Sequence, residues 1–178
     1  MKVKTLKGVF PIIFITVIVF AAVGLVSWTD SITRDEIEDQ KEQQIQSMLT
    51  EMFPSMSKYT FEDDIYIIDA DGAKVGYAFL AVGKGYGGDI DILVGLNNEM
   101  TIKGVTIVSQ TETPGLGSRI TDSSFTGKFA GLSIDDVALK RDGGQIDAIT
   151  GSTISSGAVV DTVRITAIEK IKALTERQ

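Results

Sequence analysis

Ten residues near the C-terminus, Asp147-Ala148-Ile149-Thr150-Gly151-Ser152-Thr153-Ile154-Ser155-Ser156, pack five hydroxyl side chains around one glycine. They follow a short apolar run, Gln145 to Ile149, and precede a long helical pattern, so they fall at a strand-to-helix corner. Two chemistries suit such a corner. Ser and Thr cap helices by accepting hydrogen bonds from orphan N–H groups. A helix N-terminus also binds phosphate, because it presents free N–H groups and the positive end of its dipole. The stretch alone leaves both open.

Three other stretches carry candidate chemistry. Gly83-Lys84-Gly85-Tyr86-Gly87-Gly88 matches G-x-G-x-x-G. The dinucleotide fingerprint requires a helix after that turn, and here the strand-like run Asp89 to Val94 follows, so the dinucleotide reading fails. What survives is a glycine loop whose backbone can approach a flat ligand, with Tyr86 and Gly87 available to it, or a plain hairpin loop. Gln110-Thr111-Glu112-Thr113-Pro114-Gly115-Leu116-Gly117 follows a second strand. Pro114-Gly115 suits a type II turn, and an eight-residue loop carrying Glu112 on a rigid sheet is a place for binding residues. Ser55-Met56-Ser57-Lys58 matches the S-x-x-K nucleophile motif but lacks its companion elements, so hydrolase chemistry is not expected.

Composition narrows the field. The chain of 178 residues contains neither cysteine nor histidine, which removes disulfides, iron–sulfur clusters, thiol nucleophiles, Ser-His triads and the usual zinc ligand sets. No metal site is expected. The formal charge of −7 argues against nucleic acid. Any redox chemistry must therefore be carried by an organic cofactor.

Lys2, Lys4 and Lys7 precede an uncharged stretch from Gly8 to Ser27, closed by Trp28 and Asp30. That stretch is long enough to span a bilayer, for which roughly 17–25 residues suffice. Lysines before it and acids after it place the N-terminus in the cytoplasm and the body outside, with Trp28 at the interface. A signal peptide cleaved near Ala22-Val23-Gly24 is the alternative, but its apolar region would exceed the ~7–15 residues of such signals.

The elements that position these residues read as follows. Thr33-Arg34-Asp35-Glu36 fits a capping box, and the apolar spacing from Ile37 to Met52 predicts a juxtamembrane helix over 34–53. Ile65–Ala70 and Lys74–Val82 predict a hairpin about Asp71-Gly72. Asp89–Leu96 and Thr101–Ser109 predict a second about Asn97-Asn98, and Val137–Leu139 with Gln145–Ile149 a third about Asp142-Gly143-Gly144. Phe125, Phe129 and Leu132 suggest a short helix, and a final helix buries Val159, Val163, Ala167, Ile171 and Leu174. The expected class is α+β, a mostly antiparallel sheet with packed helices behind one transmembrane helix. The divisions expected are 1–29 for N-terminus and anchor, 30–54 for the juxtamembrane helix, and 55–178 for the extracytoplasmic domain.

A G-Y-G-G loop, an E-T-P-G-L-G loop and a D-x-x-T-G-x-T-x-S-S corner, in that order behind an anchor, resemble the FMN-binding family of membrane redox complexes. That family includes the G subunit of the Rnf complex and the C subunit of the sodium-translocating NADH:quinone oxidoreductase. The resemblance implies FMN joined by a phosphoester to the threonine of an S/T-G-A-T motif, installed by a flavin transferase. Thr150-Gly151-Ser152-Thr153 occupies that motif, so Thr153 would be the attachment residue, and Asp147 matches the acid that opens it. Ser152 stands where the family usually has alanine, which makes its hydroxyl a rival acceptor. The resemblance further implies a phosphate among hydroxyls and N–H groups of the Ser155-Ser156-Gly157 turn, with Leu116 and Thr113 near the isoalloxazine. It implies a single-pass electron carrier among other Rnf subunits, incomplete as an enzyme by itself. The span holds Thr16 but no ionisable side chain, so ion movement would belong to those other subunits. The quinone-reductase subunit, or an anchored binding module without redox work, are the alternative readings.

Overall fold

A computed structural model describes the backbone of residues 3–176, with side-chain exposure for residues 11–29 and 40–176. Contacts divide the chain into Met1–Gln44 and Ile45–Gln178. The first helix, α1, runs Val3–Met52. Within it Pro11–Thr29, 19 residues with mean hydropathy 2.5, is long and apolar enough to cross a membrane, and all of it is exposed. The separate helix expected to start after Thr33 does not occur, because the helical backbone is continuous through that position. The capping side chains expected there lie outside the residues whose side chains are described. The end of α1 falls before Pro54, where the lost N–H and ring clash of proline stop a helix.

In the second unit five strands form one antiparallel sheet in sequence order: β1 (Lys58–Glu62), β2 (Ile65–Ala70), β3 (Ala73–Lys84), β4 (Asp89–Asn97) and β5 (Ile102–Gln110). The β2–β3 hairpin turns on Asp71 and Gly72, both with positive φ (50° and 83°), the type I′ geometry that suits twisted strands. Asp63 and Asp64 make the equivalent turn between β1 and β2. Strand β1 was not expected, since four of its five residues are exposed and it carries no alternation.

One face of the sheet buries Phe79, Ala81, Ile90, Ile92, Val94 and Leu96. Against it pack Phe125 and Phe129, from the short helix α2 (Ser123–Thr126) and the turn after it, and the long helix α3 (Thr153–Thr175) through Val159, Val160, Val163 and Ala167. Of the expected α3 stripe, Val159, Val163, Ala167 and Leu174 are buried and Ile171 is half-buried. The opposite face holds Leu49 and Phe53 against Ile68, Ala78 and Leu93. Gly76 and Gly95 make that seat: a Cβ on either would run into Phe53 or Met52.

The third expected hairpin does not form. Residues 137–149 instead carry one 3-10 turn, Lys140–Asp142, and one isolated bridge that pairs Leu139 with Ile146 in parallel. Gly143, at φ 90°, turns the chain between Leu139 and Ile146, and both of these enter the core.

Candidate functional site

The corner after Ile149 is built by tight local bonding. Ser152 N–H donates to Ile149 O at 2.9 Å, and Gly151 takes a positive φ of 82° to make that turn. Thr153 then opens α3. Ser156 N–H already donates to Ser152 O at 2.9 Å, so the backbone donors left without an intrahelical acceptor are those of Thr153, Ile154 and Ser155. The turn expected to cradle a phosphate is thereby shifted one residue or more upstream of Ser156-Gly157.

The hydroxyls do not share one task. Ser152 is the residue preceding α3, yet its side chain makes no capping bond. Its Oγ is buried and, among the described residues, has no hydrogen-bond partner. Ser156 Oγ accepts from Ile149 N–H at 3.0 Å, fixing the corner from inside. Ser155 Oγ donates to Glu112 Oε2. Thr150 and Thr153 are exposed. Capping by a hydroxyl-rich corner is therefore replaced by internal ties from Ser155 and Ser156.

Glu112 is the other anchor. It is buried, and its Oε1 accepts from Gly87 N–H at 2.8 Å. Burial alone would raise its pKa, but hydrogen bonds from Ser155 and from the backbone of Gly87, Tyr86 and Gly88 outweigh that and hold it below the ordinary glutamate value. The loop beyond it turns as expected: Leu116 N–H donates to Thr113 O at 3.2 Å across Pro114-Gly115, with Gly115 at φ 77°.

These segments enclose a cavity of about 380 Å³, lined by Tyr86, Glu112, Thr113, Leu116, Gly117 and residues 151–155. Tyr86, Leu116 and Ile154 are each about half exposed or more, so its rim is apolar while its wall carries the start of α3. Of the expected residues, Thr153, Gly151, Ser152, Ser155, Glu112, Thr113, Leu116 and Tyr86 converge on it. Gly87, Pro114, Gly115, Thr150 and Ser156 do not line it, and they act through the turns and bonds just described. Gly117 and Ile154 line the cavity without having been anticipated. Ile154 was legible in principle, as an isoleucine on the solvent side of a helix start, and Gly117 as the third pivot of its loop after Pro114 and Gly115. Ser55 and Lys58 lie away from the cavity lining; Lys58 faces Asp69 at 4.0 Å. Asp147 pairs with Lys140 at 2.8 Å outside the lining, and its pKa is lowered chiefly by that hydrogen bond.

An α+β domain with an apolar-rimmed cavity at a helix N-terminus is the form of a small-cofactor binding domain, and sequence comparison gives the cofactor. The FMN-binding domain family matches residues 85–167, which span the glycine loop, the Glu112 loop and the first part of α3. The G subunit of the ion-translocating oxidoreductase complex of Methanosarcina acetivorans is 32% identical over 177 residues, 90% of this chain and 94% of that protein. Its counterpart in Aliivibrio fischeri strain MJ11 is 34% identical over 172 residues, 81% of each. The crystal structure of Shewanella oneidensis NqrC shares the fold, with a TM-score of 0.50 at 19% identity over 68% of this chain and 74% of that one. The chain belongs to the family of G subunits of ion-translocating oxidoreductase complexes and carries that family's FMN-binding domain.

Proposed function

We propose that the chain is a membrane-anchored electron carrier of an Rnf-type ion-translocating oxidoreductase, with FMN esterified through its phosphate to Thr153. The observation that carries this reading is an accessible Thr153 hydroxyl on the wall of an apolar-rimmed cavity, beside the unpaired N–H groups of the α3 first turn. The cavity volume falls in the ~300–1,000 Å³ range of cofactor sites. Bound FMN supplies the electron-transfer chemistry, and the protein contributes position and electrostatics. Leu116, Ile154 and Tyr86 would shield a bound flavin from water at the rim, and Thr113 would offer it a polar contact.

Ser152 is the weaker acceptor. Its Oγ is sealed from solvent, so a transferase cannot bring a phosphorus atom to it without opening the corner. Residues 1–29 would form the cytoplasmic N-terminus and anchor, 30–54 the juxtamembrane segment and 55–178 the extracytoplasmic domain. The partners would be the other subunits of the complex, with a flavin transferase required for maturation. Identities of 32–34% to G subunits favour that assignment over the quinone-reductase subunit.

The test is co-expression with a flavin transferase and flavin fluorescence in a denaturing gel, wild type beside Thr153→Val. Fluorescence that survives denaturation and disappears in the variant supports the reading. Fluorescence retained in the variant moves the bond to another hydroxyl. No fluorescence in either, with a known acceptor labelled in parallel, removes the covalent carrier altogether.

A further inference from the structure

The glycine loop that reads as a ligand cradle is turned toward the protein itself. Gly87 N–H, flanked by Tyr86 and Gly88, reaches Glu112 Oε1 at 2.8 Å. Successive N–H groups converging on one point form a concave site for an anion. Here the anion is the chain's own carboxylate, and Ser155 Oγ from α3 closes it from the other side.

The packing is tight where Gly85 and Gly117 face the carboxylate. A Cβ on Gly85 would collide with Oε1, and one on Gly117 would lie 2.7 Å from Oε2 and 3.0 Å from Ser155 Oγ. Among the described residues the carboxylate's hydrogen-bond partners are neutral donors, so its charge is solvated by dipoles and not by a paired cation. The same side chain forms part of the cavity wall, and Tyr86, presented by the loop it holds, is 73% exposed at the cavity rim.

We propose that Glu112 is a positioning residue for the flavin: its carboxylate, cradled by the glycine loop, holds Tyr86 at the rim and places a fixed negative charge that opposes reduction. The potential half of this rests on the FMN reading above. Adding electrons to a flavin adds negative charge, and a like charge in a partly dehydrated wall is poorly screened. Removing the charge while keeping the shape should therefore make the flavin easier to reduce.

Glu112→Gln does that, since an amide oxygen can accept from Gly87 N–H while its NH₂ donates to Ser155 Oγ. In the full-length protein loaded by a flavin transferase, spectroelectrochemistry at pH 7 should show the midpoint potential of Glu112→Gln shifted to more positive values. Ser155→Ala loosens the same cluster but keeps the charge, and it should give no positive shift. An unchanged or more negative potential in Glu112→Gln, or an equal positive shift in Ser155→Ala, overturns the electrostatic role. The cradle is tested separately on flavin-free protein. Amide exchange at Tyr86, Gly87 and Gly88 should quicken at least tenfold in Glu112→Ala and stay near wild type in Glu112→Gln, and unchanged exchange in Glu112→Ala refutes the cradle. Wild-type protein that takes no flavin overturns the FMN reading and the potential argument with it, while the exchange result still decides the cradle.

Discussion

Gly117→Ala isolates the packing around Glu112 with a single methyl group. The added Cβ would sit 2.7 Å from Glu112 Oε2, 2.8 Å from Glu112 Cβ and 3.0 Å from Ser155 Oγ. An ordinary contact needs several tenths of an ångström more in each case. Neither neighbour can yield cheaply. Glu112 is held through Gly87 N–H and Ser155 Oγ, and Ser155 is fixed in the first turn of α3. Overpacking a well-filled interior costs about 1–3 kcal/mol. Breaking one hydrogen bond to a charged group adds on the order of 1.5–3 kcal/mol if the clash is relieved that way. A total near 3 kcal/mol corresponds to a fall in melting temperature on the order of 10 °C for a chain of this size. Gly115→Ala is the comparison, because it meets no atom within 4 Å and costs only its left-handed φ of 77°, about 1–2 kcal/mol. Chemical unfolding of the flavin-free full-length protein in detergent, followed by near-ultraviolet dichroism, would rank the two. In Glu112→Ala the same Gly117→Ala change should cost less, since the contact with Oε2 is gone while those with the residue-112 Cβ and Ser155 Oγ remain. A Gly117→Ala cost no greater than that of Gly115→Ala, or one that simply adds to Glu112→Ala, would refute the packing argument.

Two further outcomes follow from the same corner. Because the folded-state pKa of Glu112 is depressed, its stabilisation is fully present above the ordinary value near 4.5 and is lost as pH falls through the lower folded value; melting curves between pH 3 and 6 should therefore drop more steeply for wild type than for Glu112→Gln, and parallel curves would contradict this. Ser152→Ala should stabilise the protein by about 1 kcal/mol, since it removes a buried hydroxyl without a partner, and a loss of stability in urea titration would mean the hydroxyl is bonded after all.

What could be read from the sequence was local. Asp71-Gly72 announced its hairpin because only a residue pair tolerant of positive φ makes that turn, and both residues adopt it. The alternation of β4 and the spacing of Val159, Val163 and Ala167 in α3 likewise reflect the face each element buries. Strand β1 escaped notice because an edge strand exposed along most of its length has no hydrophobic pattern to display. The hairpin expected across Asp142-Gly143-Gly144 failed for a different reason. Its apolar flanks, Leu139 and Ile146, are both drawn into the core shared with α3 and meet there in a single parallel bridge instead of an antiparallel ladder. At the site, the sequence identified the participating loops but mistook their relations. Glu112 and Ser155 are 43 positions apart, and nothing in either local pattern says that one satisfies the other. The hydroxyl cluster looked like one cradle, whereas Ser155 and Ser156 face inward and Thr153 outward.

The carboxylate inside the glycine loop also bears on the order of events during maturation. A loop whose N–H groups waited for a phosphate would stay unsettled until the cofactor arrived, and assembly would hang on cofactor supply. Here the Gly87 donor is already occupied by the chain's own carboxylate. A modifying enzyme would then meet a completed corner with Thr153 outermost, instead of shaping a slack segment around its substrate. On the proposed attachment to Thr153, chain folding and cofactor loading would then be separable in time.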